Sequence, residues 1–119
     1  MRQTKEIELL GCKVLISERN TIDVLDLVKF VENKSLDAKT SAFINARILE
    51  DSLQYYFQRI NFIRRYFLRR KFTANKLIRQ LTNNELNEYA LEVLKLEGVD
   101  LKKKLREMES QLVEKLPDV

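Results

Sequence analysis

The hydrophobic pattern of this chain is organised around residues 42–71, where apolar residues recur at alternating steps of four and three. This spacing is typical of a long helix that packs against another helix. We therefore predict a single helix over residues 37–71, with Asp37 as its N-cap. The apolar seam of this helix consists of Ala42, Ala46, Leu49, Leu53, Tyr56, Ile60, Ile63 and Phe67.

The predicted helix carries further apolar residues outside its seam. One additional sector comprises Ile44, Ile48, Tyr55, Phe62 and Tyr66, and a less continuous one comprises Phe43, Phe57 and Leu68. Two interpretations stay open: the helix is buried on several sides by its own chain, or one sector is an interface with another molecule. We favour the interface, because the other predicted helices are short and most have only one apolar face.

Local signals predict the remaining elements. Alternating apolar residues around Leu10-Gly11 indicate a β-hairpin over residues 5–16. Helices are predicted over residues 21–33, 74–81, 83–97 and 101–115. The helix over 21–33 is apolar on most of its circumference, so we expect it to be central and well covered.

Two end signals are especially clear in the sequence. Thr82 and Glu85 form a capping box at the start of the helix over 83–97, and Gly98 is a favourable residue just beyond its end. The chain holds only two Gly and one Pro, which suits long helices. The predicted fold is mainly α: a helical bundle with one long central helix and a short N-terminal hairpin, in a single domain over residues 1–119.

The charge distribution is uneven. The net charge is +4, yet residues 52–84 hold eight basic residues and no Asp or Glu, which leaves 14 basic against 18 acidic residues elsewhere. One interpretation is nucleic-acid binding, with phosphates neutralised by the basic residues and bases stacked on aromatic rings. The other, which we favour because the basic residues do not share one helix face, is pairing across an interface with Glu85, Glu88, Glu92 and Glu97.

The chemistry available to the chain is limited. Cys12 is the sole cysteine and histidine is absent, so neither a disulfide framework nor a zinc site is expected. The close acidic pairs, Asp23 with Asp26 and Glu50 with Asp51, have no nearby His, Cys or glycine-rich loop. We therefore expect no enzyme activity, no catalytic residue, no metal and no cofactor. Without an apolar signal core or an apolar run of about 18 residues, we expect a cytoplasmic protein with no membrane association.

Two stretches of the sequence carry a family resemblance. The hairpin followed by SERNTIDVLDL, and the later stretch LTNNELNEYALEVL, resemble the tail assembly chaperones of long-tailed phages over roughly residues 6–31 and 77–98. Those proteins combine a strand pair around a Gly with a Thr-x-x-Asp helix start and a Leu-Thr-x-x-Glu/Asp-Leu helix. The resemblance implies a non-enzymatic protein in the cytoplasm of a bacterial host. It also implies a partner with apolar helices, such as the tape measure protein, and recruitment of tail tube subunits.

The first of the two additional apolar sectors, which runs from Ile44 to Tyr66, is our candidate partner-binding surface. We expect it to bind an apolar helix of another protein or a second copy of this chain, giving a homo-oligomer. The neighbouring arginines would set register and solubility. The predicted partner-binding residues are Ile44, Ile48, Tyr55, Phe62 and Tyr66 with Arg59, Arg65 and Arg69.

Overall fold

The computed structural model describes residues 2–35 and 37–98, and it confirms a mainly helical fold with an N-terminal hairpin. Strands β1 and β2 are followed by helices α1 to α6. The predicted helix over 101–115 lies outside the described residues. The strands are Thr4–Leu9 and Cys12–Ser17, and the helices are Thr21–Glu32, Ala38–Ser52, Gln54–Arg59, Phe62–Lys71, Ala74–Gln80 and Asn83–Leu96.

The hairpin turns in two residues. Leu9 pairs with Cys12, so Leu10 and Gly11 alone connect the antiparallel strands. Both have positive φ, 50° for Leu10 and 81° for Gly11, which is the geometry of a turn that matches the right-handed strand twist. Gly11 adopts this conformation freely, whereas Leu10 does so against the steric preference of its Cβ.

The helices hold the hairpin in place through one of its faces and through its backbone. Leu9, Val14 and Ile16 are buried in the core. The hydroxyl of Tyr89 on α6 donates to the carbonyl of Glu8 at 3.0 Å. An isolated two-stranded hairpin is marginal in water, and these contacts supply the missing stability.

The single helix predicted over 37–71 is wrong, because the chain breaks it twice. At Leu53 the backbone N–H bonds to the carbonyl of Glu50 at 3.1 Å, a tightened turn that ends α2 and begins α3. At Ile60 and Asn61 the backbone is extended, with ψ of 165° and 160°. The second break separates α4 from the rest and changes which of its faces points inward.

The core lies between the hairpin and helices α2, α3, α5 and α6. Helix α6 begins at the predicted capping box, in which Thr82 and Glu85 satisfy each other's backbone N–H. Helix α5 is capped from a distance, because the Glu50 carboxylate on α2 accepts the N–H of Ala74. The residues buried within this core include Leu49, Leu53, Phe57, Phe72, Leu77, Leu86 and Val93.

Helix α1 lies at the edge of the fold, packed on α2. Our expectation of a central, well-covered helix is wrong: Leu27 is its only buried residue, and Ile22, Leu25 and Val28 are exposed. Val24 and Val31 are half-buried on the side that packs against the fold, whereas the other side of α1 carries exposed apolar residues. Among the described residues, no helix has both the length and the apolar character needed to cross a bilayer.

Candidate protein-interaction surface

Helix α4 starts afresh after the second break. The Asn61 side chain accepts the N–H of Arg64 at 2.9 Å, a standard N-cap contact. The guanidinium of Arg65 reaches back to the end of α3, where it donates to the carbonyls of Phe57 at 2.6 Å and Ile60 at 3.1 Å. These contacts fix the direction in which α4 leaves α3.

The outward side of α4 is apolar. Phe62, Ile63, Tyr66 and Phe67 are 76%, 69%, 48% and 65% exposed, and we call these four residues the α4 apolar face. The rings of Tyr66 and Phe67 meet edge-on, with centroids 5.6 Å apart. Leu68, on the inward side, is buried. A short helix therefore presents three aromatic rings and an isoleucine to solvent.

Arginines surround the α4 apolar face. Arg64, Arg69 and Arg70 are exposed, and the Arg70 guanidinium lies 4.7 Å from the centroid of the Tyr66 ring. A cation over an aromatic face is attracted by the ring quadrupole, which orders both groups. Lys71 points the other way, with its ammonium 3.3 Å from the carbonyl oxygen of Leu10 in the hairpin turn. The rim of the face is thus basic, and it consists mainly of arginine.

The structure separates the eight predicted partner-binding residues into distinct locations. Ile48 is buried, and Ile44 is half-buried against the core. Tyr55 has two guanidiniums near its ring, that of Arg2 at 5.3 Å and that of Arg59 at 4.9 Å from the ring centroid. The prediction of one continuous apolar sector is wrong, since the break at residues 60–61 rotates α4 relative to α2.

Four of the eight predicted residues lie on α4, and three of them belong to the exposed surface: Phe62 and Tyr66 in the apolar face, and Arg69 on its rim. Arg65, predicted to be a partner contact, instead ends α3 by donating to backbone carbonyls. The four-three spacing predicts Ile63 and Phe67 in the packed seam, yet both are exposed. The one local sequence signal at this reversal is Asn61, a favourable N-cap residue inside the predicted helix, and by itself it is too weak to predict a break.

The acids of α6 do not neutralise the acid-free region within the described residues. Glu85 takes part in the capping box, Glu92 pairs with Lys5, and Glu97 binds Arg19 through two hydrogen bonds of 2.8 Å to its guanidinium. None of the eight basic residues between 52 and 84 forms an ion pair with a described residue. Among the described residues, the charge of this region is therefore not neutralised by ion pairs, although Arg59, Arg65 and Lys71 hydrogen-bond to other groups of the chain.

The Arg19–Glu97 pair connects the start of α1 to the end of α6, and both side chains are largely covered. Burial by itself would raise the pKa of Glu97, but the hydrogen bonds and charge of Arg19 outweigh it and hold the pKa below its usual value. The pair stabilises the fold and has no access to a partner.

One acidic side chain is buried without full compensation. The Oδ1 atom of Asp51 lies 3.4 Å from the Arg47 guanidinium, and its Oδ2 atom accepts no hydrogen bond from any described residue. Burial, opposed by Arg47 and aided by the charges of Asp23 and Glu50, raises the pKa of Asp51 to about 6. The described residues contain no cluster of three or more His, Cys, Asp or Glu side chains able to hold a metal ion.

Comparison with known proteins yields no relative for this chain. No protein-family model matches it, and neither the curated proteins nor the solved structures contain a significant match.

Proposed function

We propose that this chain is a non-enzymatic interaction protein that binds an apolar helix of a partner protein through the α4 apolar face. The observation that carries the proposal is the exposure of Phe62, Ile63, Tyr66 and Phe67 on one helix face. Together they expose roughly 500 Å² of largely apolar surface, if a fully accessible large side chain contributes about 200 Å². A contiguous patch of that size on a soluble protein is typical of an interaction site.

The size and the rim of the face indicate the chemistry of the partner. A specific interface covers about 800 Å² on each partner, with an apolar centre and a polar rim. The α4 apolar face would form the centre, and Arg64, Arg69 and Arg70 would form part of the rim. Because no acid lies within residues 52–84, the best partner is an amphipathic helix whose apolar stripe is flanked by Asp and Glu.

A second copy of this chain and a phage protein are both candidates for this partner. The resemblance to tail assembly chaperones supports a tape measure protein, whose apolar helices would need cover before assembly, and recruitment of tail tube subunits. Self-association through the same face would give a homo-oligomer. Either partner would remove the aromatic rings from water, each contributing roughly 1.5–3 kcal/mol when fully buried.

Nucleic-acid binding is the second candidate, favoured by the absence of ion pairs among the described basic residues of the acid-free region. Exposed rings next to arginines could stack on bases while the arginines neutralise phosphates. The protein partner is preferred because Arg65 and Lys71 are engaged with backbone carbonyls and Arg59 is bound to Tyr55. Fewer basic groups are therefore free than the sequence suggests.

The test uses the double substitution Phe62→Glu with Tyr66→Glu. Because both side chains are exposed, we expect the variant to fold with an unchanged circular dichroism spectrum. The matched control is Ile22→Glu with Leu25→Glu, which places the same charges on the exposed apolar side of α1. Two measurements compare the three proteins: sedimentation velocity, and binding of a synthetic Leu-rich helical peptide with Glu on both flanks.

We expect the α4 variant to lose peptide binding or self-association, and the α1 control to keep it. The same peptide with Lys flanks should bind more weakly than the Glu-flanked one. A parent protein that is monomeric and binds neither peptide would refute the proposal. Binding of a single-stranded oligonucleotide, with affinity falling steeply as salt rises, would favour the nucleic-acid alternative.

A further inference from the structure

A cleft of about 390 Å³ lies where helices α1, α2 and α5 meet, away from the α4 apolar face. Its apolar floor is formed by Phe30, Phe43 and Ile78. The rings of Phe30 and Phe43 are tilted by 43° with their centroids 5.3 Å apart. The volume is near the lower end of the range for small-molecule sites, which is roughly 300–1,000 Å³.

The rim of this cleft is cationic. Lys34, Lys39 and Arg79 line it, and none of the lining residues in the described part of the chain is acidic. The Lys34 ammonium lies 5.3 Å from the centroid of the Phe30 ring, so this charge is held above the aromatic floor. The nearby carboxylate of Asp37 is occupied in capping α2, where it accepts the N–H of Thr40 at 2.7 Å. Asp37 keeps its charge and attracts Lys39, but no described residue forms an ion pair with Lys34, Lys39 or Arg79, so positive charge remains in excess at this rim.

We propose that this cleft binds a small amphipathic anion: an aromatic body carrying one carboxylate, sulfonate or phosphate group. The aromatic floor accepts the body of the ligand by offset or edge-on stacking, and the rim cations bind the charged group. An anion is selected over a neutral analogue of the same shape because only the anion is attracted by the rim cations. The site is independent of the α4 apolar face and of the function proposed for it.

The probe is 2-naphthoate, compared with the uncharged 2-naphthylmethanol by isothermal titration calorimetry. We expect 2-naphthoate to bind with a Kd below about 1 mM and the alcohol to bind at least about tenfold more weakly. The cleft variant is Lys39→Glu with Arg79→Glu, both at exposed positions. Its matched control is Arg64→Glu with Arg69→Glu, which makes the same charge change on the rim of α4.

The cleft variant should lose at least about tenfold in affinity for 2-naphthoate, and the α4 control should retain it. Backbone amide shifts on titration should be largest near Phe30, Phe43 and Ile78. Three results would overturn the proposal: no binding of 2-naphthoate by the parent, equal affinity for the alcohol, or equal weakening in both variants. Amide shifts confined to α4 would also overturn it.

Discussion

The buried carboxylate of Asp51 should make the stability of this fold depend on pH. The group is almost fully covered, and its Oδ2 atom has no hydrogen-bond donor within residues 2–35 and 37–98. Burial raises its pKa from 3.8 to about 6 in the folded protein, with Arg47 opposing the shift. Between these two pH values the folded state binds more protons than the unfolded state, so stability falls as pH rises through that window.

The size of the effect follows from the shift. A difference of about two pKa units, at 1.36 kcal/mol for each unit, corresponds to about 3 kcal/mol of stability lost between pH 3.5 and 7.5. Asp51→Asn removes the titration at this position. The variant should therefore gain stability relative to the parent as pH rises, by about 3 kcal/mol across this range. The free energy of unfolding of the variant should also differ from that of the parent by an amount that does not depend on pH. The introduced amide group would bury N–H donors where no described residue bonds to Oδ2.

The assay is urea unfolding followed by circular dichroism at pH 3.5, 5 and 7.5 for the parent and the variant. Asp26→Asn, at an exposed position on α1, is the matched control and should change stability by no more than about 0.5 kcal/mol. A stability difference between Asp51→Asn and the parent that is the same at all three pH values would refute the reasoning. So would a difference that moves in favour of the parent as pH rises.

Two further substitutions test the contacts that hold the helices together. Arg65→Ala should lower the free energy of unfolding by about 1–2 kcal/mol, because the carbonyls at the end of α3 lose charged donors. Arg69→Ala, the control on the rim of the α4 apolar face, should leave the free energy of unfolding nearly unchanged. Equal losses in the two variants would contradict the role of Arg65 in holding α4 to α3. Glu97→Gln should cost about 2–3 kcal/mol at pH 7, since it leaves the covered Arg19 guanidinium without a charged partner. Because the pKa of Glu97 is lowered in the folded protein, this loss of stability should shrink as pH falls below 4.5, the ordinary pKa of a Glu side chain. A loss as large at pH 3 as at pH 7 would argue against the ion pair.

The elements that the sequence predicted well are those with local determinants. The hairpin depends on the short connection at Leu10-Gly11, and α6 depends on the capping box at Thr82 and Glu85. Each of these signals acts within four residues, so its meaning does not depend on the rest of the fold. Gly98, predicted to follow the end of α6, has a φ of 82°, a conformation that glycine adopts at little cost.

The prediction of one long helix was wrong for a different reason. The four-three spacing of apolar residues continues on both sides of Asn61, because α4 is itself a helix and has the same period. Asn within a helix costs only a fraction of a kcal/mol, so its presence does not by itself predict a break. The period indicates which residues share a face of α4, but the two extended residues at 60–61 determine whether that face is directed toward the core or toward solvent. Ile63 and Phe67 consequently leave the seam and become exposed.

Side chains that act over long distances in the sequence could not be assigned from the pattern. Arg19 and Glu97 are 78 residues apart, and Glu50 caps a helix that starts 24 residues later. The same limit applies to Arg65, whose role depends on the position of the α3 carbonyls. The sequence pattern of an arginine beside an apolar seam is the same whether its guanidinium contacts a partner or the backbone of its own chain.

The inward contacts of α4 explain how a short helix can offer a large apolar surface to a partner. A ten-residue helix is marginal on its own in water, yet α4 is held by the Asn61 cap, by Arg65, by buried Leu68 and by Lys71 against the hairpin turn. All these contacts lie away from its apolar face. The backbone of the face is therefore ordered in the free chain, so that binding of the proposed partner would cost little backbone conformational entropy. Loss of Arg65 should accordingly weaken binding to an acidic-flanked helix although Arg65 lies outside the face, because the helix that presents it would no longer be fixed.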